Sequence, residues 1–228
     1  MTPPWLTPAI ASLRAAYVAN RLPHGLLIHD STGAGGDWLA GWAAALAMCT
    51  NPDEAPCGRC QGCTRVAANQ HPDLIRMHPI EDSKQLRIEQ VRELAEELSL
   101  TSHQGGYKVA ILSPADMLNR FAANALLKTL EEPPPRTLLI LVASQPSRLP
   151  ATILSRCQRL RVRPPTRAEG IEWLQQTRGA GDWNGVLEML GEAPFLAVDA
   201  DPKAIPALGG ETRHTLEEIE AGAADPVS

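Results

Sequence analysis

Three short runs of almost unbroken apolar residues, each followed by a helical pattern, restrict this chain more than any other feature of it. They are Gly25-Leu26-Leu27-Ile28-His29, Tyr107-Lys108-Val109-Ala110-Ile111-Leu112 and Thr137 to Val142. A strand that is apolar on both faces has to be covered on both faces, which is the condition of a parallel sheet between layers of helices. Helical periodicity runs from Pro8 to Asn20, with Ile10, Leu13, Ala16 and Tyr17 on one side and Thr7 as its expected N-cap. It returns from Asp37 to Met48, from Glu89 to Leu100 with Val91, Leu94 and Leu98 inward, and in a helix through Leu130 that Pro133-Pro134-Pro135 ends. A short apolar run at Asp73 to Met77, a short helix at Leu149 to Leu154 and a closing strand at Gln158 to Val162 complete the expected α/β domain, residues 1–164.

Pro164-Pro165 marks a boundary. Beyond it, Arg167 to Gln176, Asp182 to Leu190 and a third pattern near Phe195 predict a small all-helical domain over 165–207, too small to be stable without its neighbour. Residues 208–228 read as an acidic tail with a helix around Thr215 to Ala221 and disordered last residues. The net charge of -5 belongs to that end: residues 199–228 hold seven acids and two bases, and residues 1–198 hold 19 of each sign. No excess of positive charge advertises a binder of nucleic acid or of anionic membranes. The longest apolar candidate, Trp38 to Cys49, is shorter than a membrane span and lacks a basic segment before it, so neither a span nor a signal peptide is expected and the chain reads as cytoplasmic.

The turn after the first strand, Asp30-Ser31-Thr32-Gly33-Ala34-Gly35-Gly36-Asp37, occupies the slot of a phosphate-binding P-loop. Such a loop needs G-x-x-x-x-G-K-[ST], because backbone amides cradle the phosphates, Lys neutralises them and the hydroxyl holds Mg²⁺. With Gly35 in the last glycine position, Gly36 stands where Lys belongs and Asp37 where the hydroxyl belongs. A carboxylate facing a polyphosphate is repelled, so nucleotide binding is expected to be weak or absent. After Ile111-Leu112 the chain reads Ser113-Pro114-Ala115-Asp116, without the acids that hold Mg²⁺ and orient water. Taken alone, the loop also fits an α/β domain that never bound nucleotide.

Cys57, Cys60 and Cys63 follow one another at x2 spacing, and Cys49 ends the preceding helix. Four thiolates can close a tetrahedral zinc site, with Gly58 and Gly62 permitting tight turns and Arg59 and Arg65 placed to offset the charge. No ligand position is left open, so the zinc would be structural; free cysteines, a redox pair or an iron-sulfur cluster are the other readings of this spacing. Cys157 reads as a small buried residue rather than a ligand. Between Glu132 and Glu169 there is no acid, while Arg136, Arg148, Arg156, Arg159, Arg161, Arg163 and Arg167 accumulate. Most of them read as a solvated face. Arg156, in Ser155-Arg156-Cys157 at the junction of a short helix and the last strand, is placed to project from the domain edge.

The run Asn124-Ala125-Leu126-Leu127-Lys128-Thr129-Leu130-Glu131-Glu132-Pro133-Pro134, the segment Thr152-Ile153-Leu154-Ser155-Arg156-Cys157 and the four-cysteine insertion together resemble the bacterial DNA polymerase III clamp-loader subunits of the AAA+ superfamily. The resemblance covers roughly residues 8 to 200. It implies a non-hydrolysing member of a hetero-oligomeric ring with tau/gamma and delta subunits, which loads the sliding clamp onto primed DNA. It further implies that Arg156 is an arginine finger supplied in trans, with Ser155 and Cys157 as its motif neighbours, and that Cys49, Cys57, Cys60 and Cys63 are structural zinc ligands. No nucleotide of its own is expected at Gly33, Gly35, Gly36 and Asp37. Family members continue into an all-helical collar domain, for which only residues from about 208 remain, and that bears on assembly. Two other functions fit the residues: a tau/gamma-like AAA+ ATPase with an atypical site, and a zinc-anchored DNA-binding module, against which the balanced charge of residues 1–198 stands.

Overall fold

The computed structural model describes residues 1–80 and 85–208. The helix expected around Thr215 to Ala221 lies outside them. The chain divides into two compact units, one of residues 6–163 and one that joins residues 1–5 to the described residues from 164 on.

In the larger unit the elements follow in the order α1 (Thr7–Val18), β1 (Gly25–His29), α2 (Gly36–Met48), α3 (Gln61–Ala67), β2 (Leu74–Met77), α4 (Ile88–Ser99), β3 (Lys108–Leu112), α5 (Arg120–Glu131), β4 (Thr137–Ala143), α6 (Ala151–Leu154) and β5 (Gln158–Arg161). The five strands form one sheet in the order β2-β3-β4-β1-β5, and every pairing is parallel. All residues of β3 and β4 are buried, as are the first four of β1, which is why these strands are apolar throughout. On one face Leu27, Leu139 and Leu141 meet Val91, Leu94 and Leu98 of α4 and Ala122, Leu126 and Leu130 of α5. The other face is covered by α2, which packs on β4, β3 and β1 and buries Ala40, Ala43, Ala44 and Ala47, small residues that let a helix lie close to a sheet. β5 differs from the others: Gln158, Arg159 and Arg161 are exposed, and two arginines on an edge strand discourage pairing with a further strand.

Two local expectations are corrected. Thr7 does not cap α1, because a 3₁₀ turn at Pro4–Leu6 runs straight into the helix, placing Leu6 at the cap position without a side-chain bond and Thr7 inside. Helix α3, within the cysteine segment, has too few residues to show a periodic pattern and was not foreseen.

The second unit contains α7 (Arg167–Arg178), α8 (Trp183–Leu190) and α9 (Pro194–Ala197). Thr166 and Glu169 form a reciprocal capping box at the start of α7, and Asp182 accepts the Gly185 amide at the start of α8. The aromatic centre is completed from the far end of the sequence. Trp5, 1% exposed, meets the Trp173 ring edge-on at 5.5 Å and the Phe195 ring at 6.4 Å. Trp173 Nε1–H donates to the Met1 carbonyl at 3.4 Å. No helix among the described residues is long and apolar enough to cross a membrane.

Trp5→Ala removes one wall of this aromatic cluster and should cost about 3–5 kcal/mol within it. In limited proteolysis, cleavage within 164–208 is expected to rise in this variant while residues 6–163 stay protected; equal protection of both segments would contradict the assignment of Trp5 to the second unit's core.

Candidate functional site

The glycine loop is built by the end of β1. The Asp30 amide still bonds the Ala143 carbonyl at 3.1 Å, so the first loop residue continues the β1–β4 ladder, and the Ala34 amide then closes a turn on the Ser31 carbonyl at 2.8 Å. Gly33 and Gly35 take left-handed backbone with φ of 77° and 109°, which explains why glycine stands there. Gly36 opens α2. Its amide donates to Asp30 Oδ2 at 2.9 Å, and a Cβ at this position would lie 2.6 Å from the Asp30 Cβ. Asp30 is 7% exposed and its Oδ1 has no hydrogen-bond partner. Burial pushes its carboxyl up, the Gly36 amide opposes that, the Asp37 charge adds to it and the Gly35 amide opposes it, leaving the group raised to about 6. The residue at which the sequence pattern broke, Gly36 in place of Lys, therefore has a partner that the motif comparison missed. Asp30 stands five positions before Gly35, where a P-loop has its first glycine.

At the end of β3, Asp116 lies three residues beyond Ser113 and is buried. Its Oδ2 accepts the Ser144 hydroxyl and the Gln145 amide, each at 3.1 Å, so this acid ties together the loops that follow β3 and β4. Asp73 ties loops at the opposite edge of the sheet, just before β2: it accepts the Ser102 hydroxyl and the amides of His103 and Gln104. Both acids are visible in the sequence, but an isolated Asp beside a strand carries no pattern that announces these bonds.

The four cysteines do come together. Their Sγ atoms all lie within 4.8 Å of one another, and Cys49 and Cys60 are 3.8 Å apart. The edge of a tetrahedron with Zn–S bonds of about 2.3 Å is roughly 3.8 Å, so the spacing suits one ion. Backbone amides already face the sulfurs as they would face thiolates: those of Asn51 and Cys57 donate to Cys49 Sγ and that of Cys63 to Cys60 Sγ, each at 3.4 Å. Cys49 sits at the C-cap of α2 and Cys60 at the N-cap of α3. Gly62 is required sterically, since a Cβ there would come 2.1 Å from the Met48 carbonyl oxygen. Burial raises the Cys63 thiol to about 12, whereas at Cys60 the donors from Thr50 and Cys63 outweigh burial and bring it to about 5. Arg59, expected to offset the charge of the cluster, pairs its exposed guanidinium with Glu54 at 2.5 Å.

Arg156 follows α6 and precedes β5. Its side chain is 36% exposed; Nη2 pairs with Glu131 Oε1 at 2.7 Å, and Nη1 donates to the Thr152 carbonyl at 3.0 Å and to Ser155 Oγ at 3.3 Å. Glu131 lies just outside the acid-free stretch, which begins after Glu132. Ser155 turns its own hydroxyl onto the Thr152 carbonyl at 3.1 Å. Cys157 is buried beside β1, and burial raises its thiol to about 11, as suits a packing residue.

The raised Asp30 carboxyl has a consequence for stability. A group that holds its proton more tightly folded than unfolded contributes stability that is present below its ordinary carboxylate range and lost as pH rises through about 6. Asp30→Asn keeps an acceptor for the Gly36 amide without the charge. In thermal melts it is expected to raise the midpoint by several degrees at pH 7.5 and by progressively less toward pH 4; a gain that does not depend on pH would contradict the cause assigned here.

Comparison with known proteins agrees with this construction. A family model described as "DNA polymerase III, delta subunit" matches residues 5–166. DNA polymerase III subunit delta' of Escherichia coli is 39% identical over 174 residues, covering 76% of this chain and 52% of that protein. The corresponding subunit of Pseudomonas aeruginosa is 43% identical over 152 residues, covering 66% and 46%. The chain thus spans about half the length of the curated relatives it matches. Among solved structures, a DNA polymerase III gamma-subunit-related protein of Thermotoga maritima superposes with a TM-score of 0.54 at 20% identity, covering 79% of this chain and 53% of that one. The RuvB Holliday junction branch migration motor of the same organism gives 0.54 at 14% identity, covering 85% and 58%. These two show the fold, a parallel sheet flanked by helices. With the family model matching most of its length, the chain belongs to the DNA polymerase III delta-subunit family, among the relatives of the delta' subunits.

Proposed function

We propose that this chain is a non-hydrolysing clamp-loader subunit that supplies Arg156 to the nucleotide site of a neighbouring subunit. The observation that carries this reading is the position of Arg156 relative to the chain's own loop. β5 runs parallel to β1 with Gln158 beside Leu26 and Arg161 beside His29. Arg156 therefore lies at the N-terminal end of β1, while the loop 30–37 leaves its C-terminal end. Five strand residues separate the two, about 16 Å along the sheet. An arginine so placed is out of reach of phosphates on its own loop and is available to a phosphate presented from outside.

The chemistry is electrostatic. As a γ-phosphoryl group leaves, negative charge spreads over its oxygens, and a guanidinium fork delivered by a neighbour stabilises that charge, worth about 10³–10⁵ in rate. The Glu131 pair does not oppose this strongly, because partners 36% and 49% exposed are worth about 1 kcal/mol or less. Exchange of that carboxylate for a phosphate is cheap, while Thr152 and Ser155 hold the guanidinium near the edge of the unit. The partners this reading requires are tau/gamma as the ATP-hydrolysing neighbour, with delta, the sliding clamp and primed DNA reached through the complex. Curated tau/gamma subunits are themselves similar to this chain, at 36% identity over 149 residues for that of Haemophilus influenzae, which supports a common ring architecture.

The four cysteines hold a structural zinc ion in this proposal. Cys49, Cys57, Cys60 and Cys63 would bind it, and the ion would supply a cross-link between the end of α2 and the start of α3 with no position left for chemistry.

Two measurements check these assignments. In a reconstituted loader, Arg156→Ala is expected to reduce single-turnover ATP hydrolysis at the adjoining site by about 10³-fold, with assembly intact; unchanged turnover in an assembled complex would remove the finger assignment. Metal analysis is expected to give about one zinc per chain, with four thiols resistant to alkylation until a chelator is added and the ion lost in Cys60→Ser. Four freely reactive thiols in the untreated protein would contradict the zinc site.

A further inference from the structure

We infer that the loop 30–37 is an anion cradle closed from within: the Asp30 carboxylate is its resident anion, and this side chain and a polyphosphate exclude one another. Three observations meet at the same few atoms. Helix α2 presents its first amide, that of Gly36, to Asp30 Oδ2 at 2.9 Å, which is the interaction a helix N-terminus offers to a phosphate oxygen. The carboxylate is buried, with its second oxygen, Oδ1, left without a partner. An unpaired buried oxygen costs free energy that an exposed rotamer would avoid, so the side chain is held in the cradle by the loop around it rather than resting there by choice. Finally, the Asp30 side chain fills the space into which any residue larger than glycine at position 36 would grow, since a Cβ there would meet Asp30 Cβ at 2.6 Å and Cγ and Oδ2 at 2.8 Å.

The third point links two departures from the P-loop pattern. Asp30 stands in place of the first glycine and Gly36 in place of the lysine, and each makes the other necessary. A lysine at 36 would have to enter the volume that Asp30 occupies, and a glycine at 30 would leave the Gly36 amide without its acceptor. The cradle is thus a closed alternative to a phosphate site and not merely one with residues missing. What would enter on opening is a chain of phosphate groups, because the donors are the backbone amides of a left-handed glycine turn leading into a helix of 13 residues. Asp37, exposed in the first turn of α2, would still repel it, so the opened site is expected to bind weakly. This inference stands whether or not Arg156 acts on a neighbour.

Calorimetric titration of the full chain with inorganic pyrophosphate, without divalent cations, tests it. The unaltered chain and Asp30→Asn, whose amide fills the same space, are expected to show no saturable binding. Asp30→Ala is expected to bind at least tenfold more tightly than either. Saturable binding by the unaltered chain, or equal binding by Asp30→Asn and Asp30→Ala, would overturn the inference, the latter because charge and not occupancy would then decide. An absence of binding by Asp30→Ala that keeps its native circular dichroism and a cooperative melt would overturn it as well. Should Asp30→Ala not fold, the steric link remains testable by melting alone: Gly36→Lys is expected to lower the midpoint strongly and Asp30→Gly/Gly36→Lys to recover most of the loss. A double variant no more stable than Gly36→Lys would contradict it.

Discussion

Everything of functional interest in this protein hangs on the pairing of β1 with a parallel strand on each side. Bonded to β4 and β5, β1 cannot shift without breaking two ladders, and its two ends are therefore fixed points. From one end the glycine loop leaves and turns into α2. At the other end the chain returns through Arg156 and Cys157, so close that a Cβ on Gly25 would touch the Arg156 carbonyl at 3.1 Å and the Cys157 sulfur at 3.4 Å. Glycine at position 25 and a small, buried thiol at 157 are what allow that approach. The same contact sets how far the Arg156 side chain stands from the chain's own loop.

A division of labour follows from this geometry. The cradle end keeps the backbone of a phosphate site but fills it with its own carboxylate, at some cost in stability at neutral pH. The opposite end keeps an arginine at the surface, loosely paired with Glu131. This arrangement supports the proposed role of completing a neighbouring subunit's site. The cysteine cluster lies in a long connection between α2 and β2; with its four sulfurs within 4.8 Å of one another, the proposed ion would supply there the cohesion that a core supplies elsewhere.

Much of this was legible in the sequence, for identifiable reasons. β1, β3 and β4 are recognisable because burial on both faces forces continuous apolar runs, and α4 because only Val91, Leu94 and Leu98 face inward. The cysteines declare themselves by spacing, and Gly36 and Asp37 by failing a motif that needs Lys and a hydroxyl. Other features have no periodic signal. Trp5 packs against Trp173 across a separation that no local pattern reports, and α3 is too short for amphipathic periodicity. Asp30, Asp116 and Glu131 act through one or two bonds each, to partners that the folded loop or the sheet brings close and that no periodic pattern announces. The Asp30 substitution was readable in principle from its place in the P-loop spacing, but its consequence required seeing where the carboxylate goes.

The central claim is that Arg156 faces outward, to a phosphate that another subunit holds. A photo-crosslinking side chain installed at position 156 of the full chain, activated in the assembled loader with nucleotide bound, tests it most directly. The account expects the adduct on a tau/gamma subunit, at residues that surround its bound nucleotide. An adduct confined to this chain's own loop 30–37, or to a surface of the partner remote from nucleotide, would contradict it.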